Sequence, residues 1–328
     1  MKVTIDLPVL DQYDDLYPIR DLDDWFRQPE VPWLIEDIIP SQGTGFIYGP
    51  TGQYKSFVAI AIAGLVITKL PLVEKDVTSP GHSLFCLMEG YQAFGYRVLG
   101  WQQYYDDTPL LAKFWDYPVD LSNDSKVDDL IERVQDAHIP DLRLIFIDTW
   151  IKSIGVTQTN SDIETIQCIR NMERISKALS CFVFAIDHPG KDVDRGLRGS
   201  SAKEQGVDLI IQVKAEEKHV SLSATKVKDG DTSVLNHTFP VRKVLLRPLD
   251  NADDLEKNRK LLGNNTQTLL VDFMETKRKS WETIARDYLA EGCDKDTLKT
   301  KLEAAGATKG TVSKIITKLK QQGNFQET

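Results

Sequence analysis

Eight residues constrain this chain more than any other stretch: Gly49-Pro50-Thr51-Gly52-Gln53-Tyr54-Lys55-Ser56. They lie between the short apolar run Phe46-Ile47-Tyr48 and an alanine-rich, β-branched segment over 57–67. The order is strand, glycine turn, helix, the setting that a phosphate-binding loop requires. Gly49 and Gly52 let the backbone turn its N–H groups inward around a phosphate. Lys55 reaches the β and γ oxygens, and the Ser56 hydroxyl is placed to ligate Mg2+. The N-terminus of the following helix adds positive potential. Gly49, Pro50, Thr51, Gly52, Gln53, Tyr54, Lys55, Ser56 and Phe57 are therefore the expected nucleotide contacts, with ATP and Mg2+ as ligands. One position departs from G-x-x-x-x-G-K-[ST], because Tyr54 stands where the second glycine belongs. The competing reading is an ordinary glycine turn before a core helix, yet adjacent lysine and serine opening such a helix have little packing reason to be there.

A chain of 328 residues has room for one large α/β domain and one small module. Its 41% hydrophobic and 27% charged residues are ordinary for a globular protein, so long disorder is not expected. No apolar run approaches the roughly 18 residues of a membrane span, and Met-Lys-Val-Thr-Ile-Asp at the start lacks a signal-peptide pattern. A cytoplasmic protein with no membrane partner is expected. Cys86, Cys168, Cys181 and Cys293 are far apart, with no C-x-x-C pair, so buried free thiols are expected rather than zinc or disulfides. The net charge of −9 argues against a nucleic-acid coat or a membrane-surface protein. It is unevenly spread: from Leu255 onward 14 Lys and Arg face 10 Asp and Glu, a balance of +4, which leaves −13 for the rest.

Residues 1–30 are acidic and aperiodic, and read as an N-terminal arm, either solvated or packed on a neighbouring subunit. The turn Ser41-Gln42-Gly43 delivers the chain to the loop strand. After the loop helix, 71–81 reads as a connector and 82–88 as a buried strand ending in Glu89-Gly90. A carboxylate at a strand's C-terminal end points to the ligand edge of an open α/β sheet. Arg97 and Trp101 follow on a short helix, 116–122 is a strand or connector, and 127–137 an amphipathic helix. The run 142–149 is a continuous apolar strand closing on Asp148, as fits a parallel strand buried on both faces. Asp148 is either a helix cap or the acid that faces Mg2+ beside Ser56, and the upstream loop favours the metal reading. A polar loop over 153–162 and a helix over 163–179 precede a buried strand, 181–188, that ends in Asp187-His188. The glycine-rich stretch 189–201 carries Lys191, Arg195 and Arg198. Strands over 208–213 and 219–225 deliver Lys226 and Lys228 into an Asp229-Gly230 turn. This alternation predicts a mostly parallel sheet with crossover helices.

Five stretches in this order resemble the RecA-like P-loop ATPases of the hexameric helicase kind, in particular the RepA-type AAA-family replication helicases of plasmids and phages. They are Gly-Pro-Thr-Gly-Gln-Tyr-Lys-Ser-Phe, the Glu89-Gly90 strand end with Arg97 after it, Ile-Phe-Ile-Asp-Thr, Asp-His-Pro-Gly-Lys, and Leu-Arg-Gly-Ser-Ser-Ala followed by Val-Asp-Leu-Ile. The resemblance covers about 33–230. It implies that Glu89 orients the attacking water, that His188 senses the γ-phosphate, and that Lys226 and Lys228 match a K-x-R pair inserted into a neighbour's ATP site. Lysine replaces that arginine here, and a point charge cannot make a bidentate fork on phosphate. A solvated hairpin is the other reading of the two lysines. With Lys55 and Asp148 these residues make up the expected catalytic set, with Ser56 and Asp148 on the metal.

The remaining organisation follows. Residues 31–250 form the RecA-like domain and 251–265 a charged linker. Residues 266–328 form a small all-α module with helices over 266–275, 281–290, 296–305 and 308–322. In the last helix Val312, Ile315, Ile316 and Leu319 share one face, with Lys309, Lys314 and Lys318 outside it. A recognition helix on duplex DNA needs that arrangement, and a solvated lysine face would show it too. The module resembles a winged helix whose wing stops at Gly323-Asn324-Phe325. Two functions are compatible with these features. The first is an Mg2+-dependent ATPase that assembles into a homo-hexameric ring and moves on single-stranded DNA. The second is an ATP-switched DNA-binding or recombination-accessory protein that never unwinds.

Overall fold

A computed structural model of the chain describes residues 32–105, 108–155, 162–189, 201–246, 267–273, 293–304 and 309–321, with positions 22, 197, 285, 286, 288 and 289. Apart from Leu22, the N-terminal arm lies outside the described residues. So do Lys191, Arg195 and Arg198, the linker 251–265 and the wing at 323–325.

The strands are β1 (Trp33–Ile35), β2 (Ile39–Pro40), β3 (Gly43–Tyr48), β4 (His82–Leu87), β5 (Ala112–Trp115), β6 (Leu142–Asp148), β7 (Phe182–Asp187), β8 (Leu209–Glu216), β9 (His219–Val227), β10 (Asn236–Leu245) and β11 (Gln267–Val271). β1 and β2 form a small antiparallel ribbon, and the other nine make one sheet in the order β11-β10-β9-β8-β3-β7-β6-β4-β5. From β8 to β5 every pair is parallel. The pairs β8–β9, β9–β10 and β10–β11 are antiparallel. This is the mostly parallel α/β core expected of a RecA-like ATPase.

Because a strand turns alternate side chains to opposite faces, each central strand feeds two cores. Ile47, Phe85, Leu87, Leu144, Phe146, Phe182, Phe184, Leu209 and Ile211 point to one side. Phe46, Leu84, Cys86, Ile145, Ile147, Val183 and Ile210 point to the other. Across the first face Phe85, Phe146 and Phe184 stack in register, with centroids 4.9 and 5.6 Å apart on successive strands. Helices α1 (Lys55–Thr68) and α2 (Tyr91–Tyr104) cover that face, and α3 (Asp124–Asp136) and α5 (Asp162–Leu179) the opposite one. α4 (Trp150–Ser153) and α6 (Ala202–Gly206) are short turns at the strand ends. α1 is apolar all round because it lies against the sheet, α2 and β11 at once, and it buries Val58 through Val66 without interruption. α3 shows the opposite pattern: only Val127, Leu130 and Val134 are buried, Asn123 caps its start and Arg133 lies in its last turn.

One expected element is corrected. The stretch 266–275 reads as a helix, but Gln267–Val271 is strand β11, paired with β10. A short run of Thr, Leu, Leu and Val fits either periodicity, and an open sheet edge decided it. β10 itself escapes the sequence reading, since charged Arg242 and Lys243 interrupt its apolar pattern. The residue after β11, Asp272, is 2% exposed and accepts hydrogen bonds from the Tyr104 and Tyr105 hydroxyls at 2.9 and 2.7 Å. Arg242 Nε approaches the same carboxylate at 3.5 Å. Farther on, α7 (Lys295–Ala304) and α8 (Lys309–Gln321) pack through Leu298, Leu302, Val312, Ile315, Ile316 and Leu319. The apolar face expected of the last helix is therefore buried, and Lys318 is exposed. Among the described residues no helix is long and apolar enough to cross a membrane.

α1 approaches α2 at Gly64, where an added Cβ would sit 2.1 Å from the buried Trp101 ring. Gly64→Val is expected to lower the free energy of unfolding by about 1–3 kcal/mol through overpacking, measured by chemical denaturation. Wild-type stability in that variant would contradict this helix packing.

Candidate active site

The loop between β3 and α1 is built by two constraints. A Cβ on Gly49 would lie 2.3 Å from the Val213 carbonyl oxygen of β8, so only glycine lets the loop leave the sheet there. Gly52 has φ +79°, a left-handed conformation that glycine adopts without strain. Gln53 ties the loop down by accepting the Ala215 N–H at 3.1 Å. Tyr54, at the position of the missing glycine, keeps the glycine-like backbone with φ 62° and ψ 15°. A non-glycine residue there costs on the order of 1 kcal/mol. The Tyr54 ring packs edge-on against Phe57, 6.0 Å between centroids, and adds to the core contacts. The aromatic side chain thus changes the wall of the loop without changing its path.

Lys55 opens α1 and is 7% exposed. Its ammonium donates to the Gly49 and Pro50 carbonyls at 2.7 and 2.9 Å and lies 3.4 Å from His188 Nδ1. Burial lowers its pKa, opposed by the charges of Asp148, Asp187 and Glu89. Ser56 Oγ donates to Asp148 Oδ2 at 2.6 Å. Burial raises the Asp148 pKa, while the Ser56 hydrogen bond and nearby Arg97 counter it. His188 is held below the usual histidine range by burial and then by Lys55. Its Nδ1 accepts from the Lys55 side, which leaves Nε2–H as the ring's donor.

These groups line one cavity of about 230 Å³, together with Thr51, Gly52, Gln53, Tyr54, Phe57, Thr149 and Ile186. Glu89 lines it as well, and its carboxylate is paired with Lys152 of α4 at 2.8 Å. Five residues separated by up to 133 positions in the chain, Lys55, Ser56, Glu89, Asp148 and His188, are thus brought together. Lys226 and Lys228 are not among the lining residues. Lys226 donates to the Glu204 and Gln205 carbonyls at 2.6 and 3.0 Å. Lys228 pairs with Asp208 at 3.2 Å, a contact that raises its pKa.

Arg97 is a member that the sequence reading left without a role. It lies on α2 against the cavity, its guanidinium 4.8 Å from the Phe57 ring centroid. Its position one helical stretch beyond Glu89 was the available signal, but only the packing of α2 on α1 shows that it turns inward. A cation there can meet phosphate charge that Lys55 alone does not cover.

Ser56 and Asp148 offer a hydroxyl and a carboxylate, the hard oxygen donors that suit Mg2+. Among the described residues no group of three or more His, Cys, Asp or Glu could hold a metal by itself.

Residues 14–194 match the model of a family described as an AAA domain, more than half of the chain. No curated protein matches it. Among solved structures the chain is similar to one titled "ATPase Domain of G40P", at 13% identity and a TM-score of 0.47 over 72% of this chain and 95% of that one.

The cluster has a measurable electrostatic signature. Below the ordinary histidine value of 6.5 the unfolded chain holds a proton that folded His188 resists, so this group's contribution to stability falls as the pH drops. Lys55→Met removes one of the two influences that hold the imidazole down. The His188 pKa should then rise toward its ordinary value, followed by NMR of the imidazole C–H resonances. An unmoved titration would mean that the two side chains do not face each other.

Proposed function

The chain belongs to the AAA domain family, and from that premise we propose an Mg2+-dependent ATPase of the RecA-like hexameric helicase type. It binds and moves on single-stranded DNA in the replication of a plasmid, phage or other mobile element. The observation that carries this reading is the convergence of Lys55, Ser56, Arg97, Glu89, Asp148 and His188 on one cavity at the C-terminal edge of the sheet.

Each residue has a role that its position supports. The backbone of 49–54 and the Lys55 ammonium cradle the β and γ phosphates, and Arg97 adds charge at the rim. Ser56 and Asp148 would hold Mg2+, which would supply positive charge against the phosphates. Glu89 orients the attacking water and takes its proton, for which its pairing with Lys152 must loosen. His188, neutral and next to Lys55, donates from Nε2 to the γ-phosphate. Lys226 and Lys228 stand away from their own subunit's cavity, which supports a role at a neighbour's site in a ring. The segments after Asp148 and His188, which run on outside the described residues, contact single-stranded DNA in this reading, and α8 of the winged-helix-like tail contacts duplex phosphates.

The alternative, an ATP-switched DNA-binding protein without unwinding, is favoured by one observation: both lysines are engaged inside their own subunit. Measuring ATP hydrolysis with and without single-stranded DNA, beside size-exclusion profiles with and without nucleotide, decides between them. DNA-accelerated turnover by a ring supports the helicase reading, and slow DNA-indifferent turnover by a monomer removes it.

Lys55→Ala is expected to abolish hydrolysis, since catalysis here is positioning and electrostatics. Glu89→Gln should keep nucleotide affinity while the rate falls about a hundredfold or more; a joint fall of both would make Glu89 structural. Mixing Lys226→Ala with Glu89→Gln subunits should restore some activity, because an interface with a wild-type Glu89 and a neighbour's wild-type Lys226 is complete. Cations in trans contribute about 10³–10⁵ in rate in related phosphoryl transfers, and a lysine less. Mixed rings that assemble yet stay inactive, while wild-type rings tolerate a diluted knockout, would confine the lysines to a hairpin.

A further inference from the structure

We propose that Lys203 is a positioning residue for hydrolysis, locking the His188 end of the site to the short helix that holds Lys226. Lys203 and Asp187 are each 3% exposed, and Lys203 Nζ donates to Asp187 Oδ2 at 2.6 Å. The ammonium sits among aromatic rings, 5.6 Å from the centroid of Phe46 and 5.0 Å from that of Trp150. Two charges removed from water in such a place stabilise a fold no better than an apolar pair of the same size. Packing alone is therefore a poor reason for the pair.

The geometry supplies a better one. The second carboxylate oxygen, Oδ1, accepts the His188 N–H at 2.7 Å. A carboxylate gripped at both oxygens cannot rotate, and it fixes the residue whose ring faces Lys55 and Thr51 at 3.4 Å. On its other side Lys203 belongs to α6, whose Glu204 and Gln205 carbonyls hold the Lys226 ammonium. Polar contacts thus run from the phosphate loop through His188 and Asp187 to Lys203, the backbone of α6 continues from Lys203 to Glu204 and Gln205, and their carbonyls complete the path to Lys226. A displacement of His188 when phosphate arrives or leaves moves the carbonyls that aim Lys226. The inference rests on His188 as the γ-phosphate sensor and adds the physical link between one nucleotide site and the cation presented to the next.

Full-length Lys203→Met, Lys203→Met/Asp187→Leu and His188→Ala test it. The single Lys203→Met change strands a buried carboxylate and should lower the thermal midpoint. The double change replaces both charges with apolar groups and should recover it. With stability restored, kcat of the double variant is expected to remain about a hundredfold below wild type with KM for MgATP nearly unchanged, as for a misplaced group acting in the transition state. A double variant with wild-type stability and wild-type kcat overturns the positioning role. If His188→Ala also turns over normally, the sensor reading falls; if His188→Ala is slow, only the Lys203 inference does. A second measurement leaves the core intact: amine labelling of Lys226, followed by mass spectrometry. In the wild type a non-hydrolysable ATP analogue should change its rate, and His188→Ala should lose that change. Lys226 labelling indifferent to nucleotide in the wild type overturns the link.

Discussion

The parallel register of β3, β7, β6 and β4 is the constraint on which the molecule depends. Tyr48 pairs with Asp187, Ile186 with Asp148, and Asp148 with Leu87, so these four strands end level with one another. Whatever follows each strand emerges on one edge, and there stand the phosphate loop, His188, the Asp148 carboxylate and Glu89. The register is held by the two cores. A slip of one residue would turn a strand's phenylalanine to the opposite face, exchange the sets fitted to the two cores and break the Phe85–Phe146–Phe184 stack, so core packing also aligns the residues that line the cavity. The Met88 N–H adds a bond to the Asp148 carbonyl at 2.7 Å, which pins the acid's strand to the glutamate's at their ends.

Around that edge the protein keeps charge in an awkward state. The Lys55 ammonium is buried against its own loop's carbonyls, Asp148 is buried against Ser56, and Arg97 is desolvated over Phe57. Each of these groups loses hydration on folding and recovers only part of it from its neighbours. A polyphosphate with its cation, as proposed above, would offer each of them a better partner. The preorganisation is thus maintained by the fold, and the site's dipoles need not reorient at the moment of reaction.

Much of this was legible in the sequence, because the informative residues sit at breaks in periodicity. Apolar runs that stop at Asp148, at Asp187-His188 and at Glu89 announce buried strands ending at a polar edge, and Lys55-Ser56 after two glycines mark the loop that lines the cavity on that edge. Other features depend on distance in space. The stretch 267–271 is strand only because β10 offers an edge, and its composition fits a helix as well. Arg97 reads as one surface cation among many until α2 is laid on α1. Lys203 sits in a polar stretch that suggests exposure, and nothing local signals that Asp187, sixteen residues earlier, draws it inside. Tyr54 is the reverse case, where a broken motif suggests an altered loop but the backbone accepts the left-handed turn.

The strand β11 has a practical meaning for the boundary between enzyme and tail. A chain cut at the change of composition near residue 265 would lose it. The ladder on β10 would then stand open, and an unpaired strand edge is a template for another chain. Leu270 and Val271 would vanish from the roof over α1, and the Tyr104 and Tyr105 hydroxyls would lose the carboxylate that they share. Such a fragment would keep every group of the nucleotide site and still be sticky and poorly closed. A cut that keeps the sheet whole falls beyond Phe273, because its outermost strand is drawn from residues 267–271, past the point where composition suggests that the core has ended.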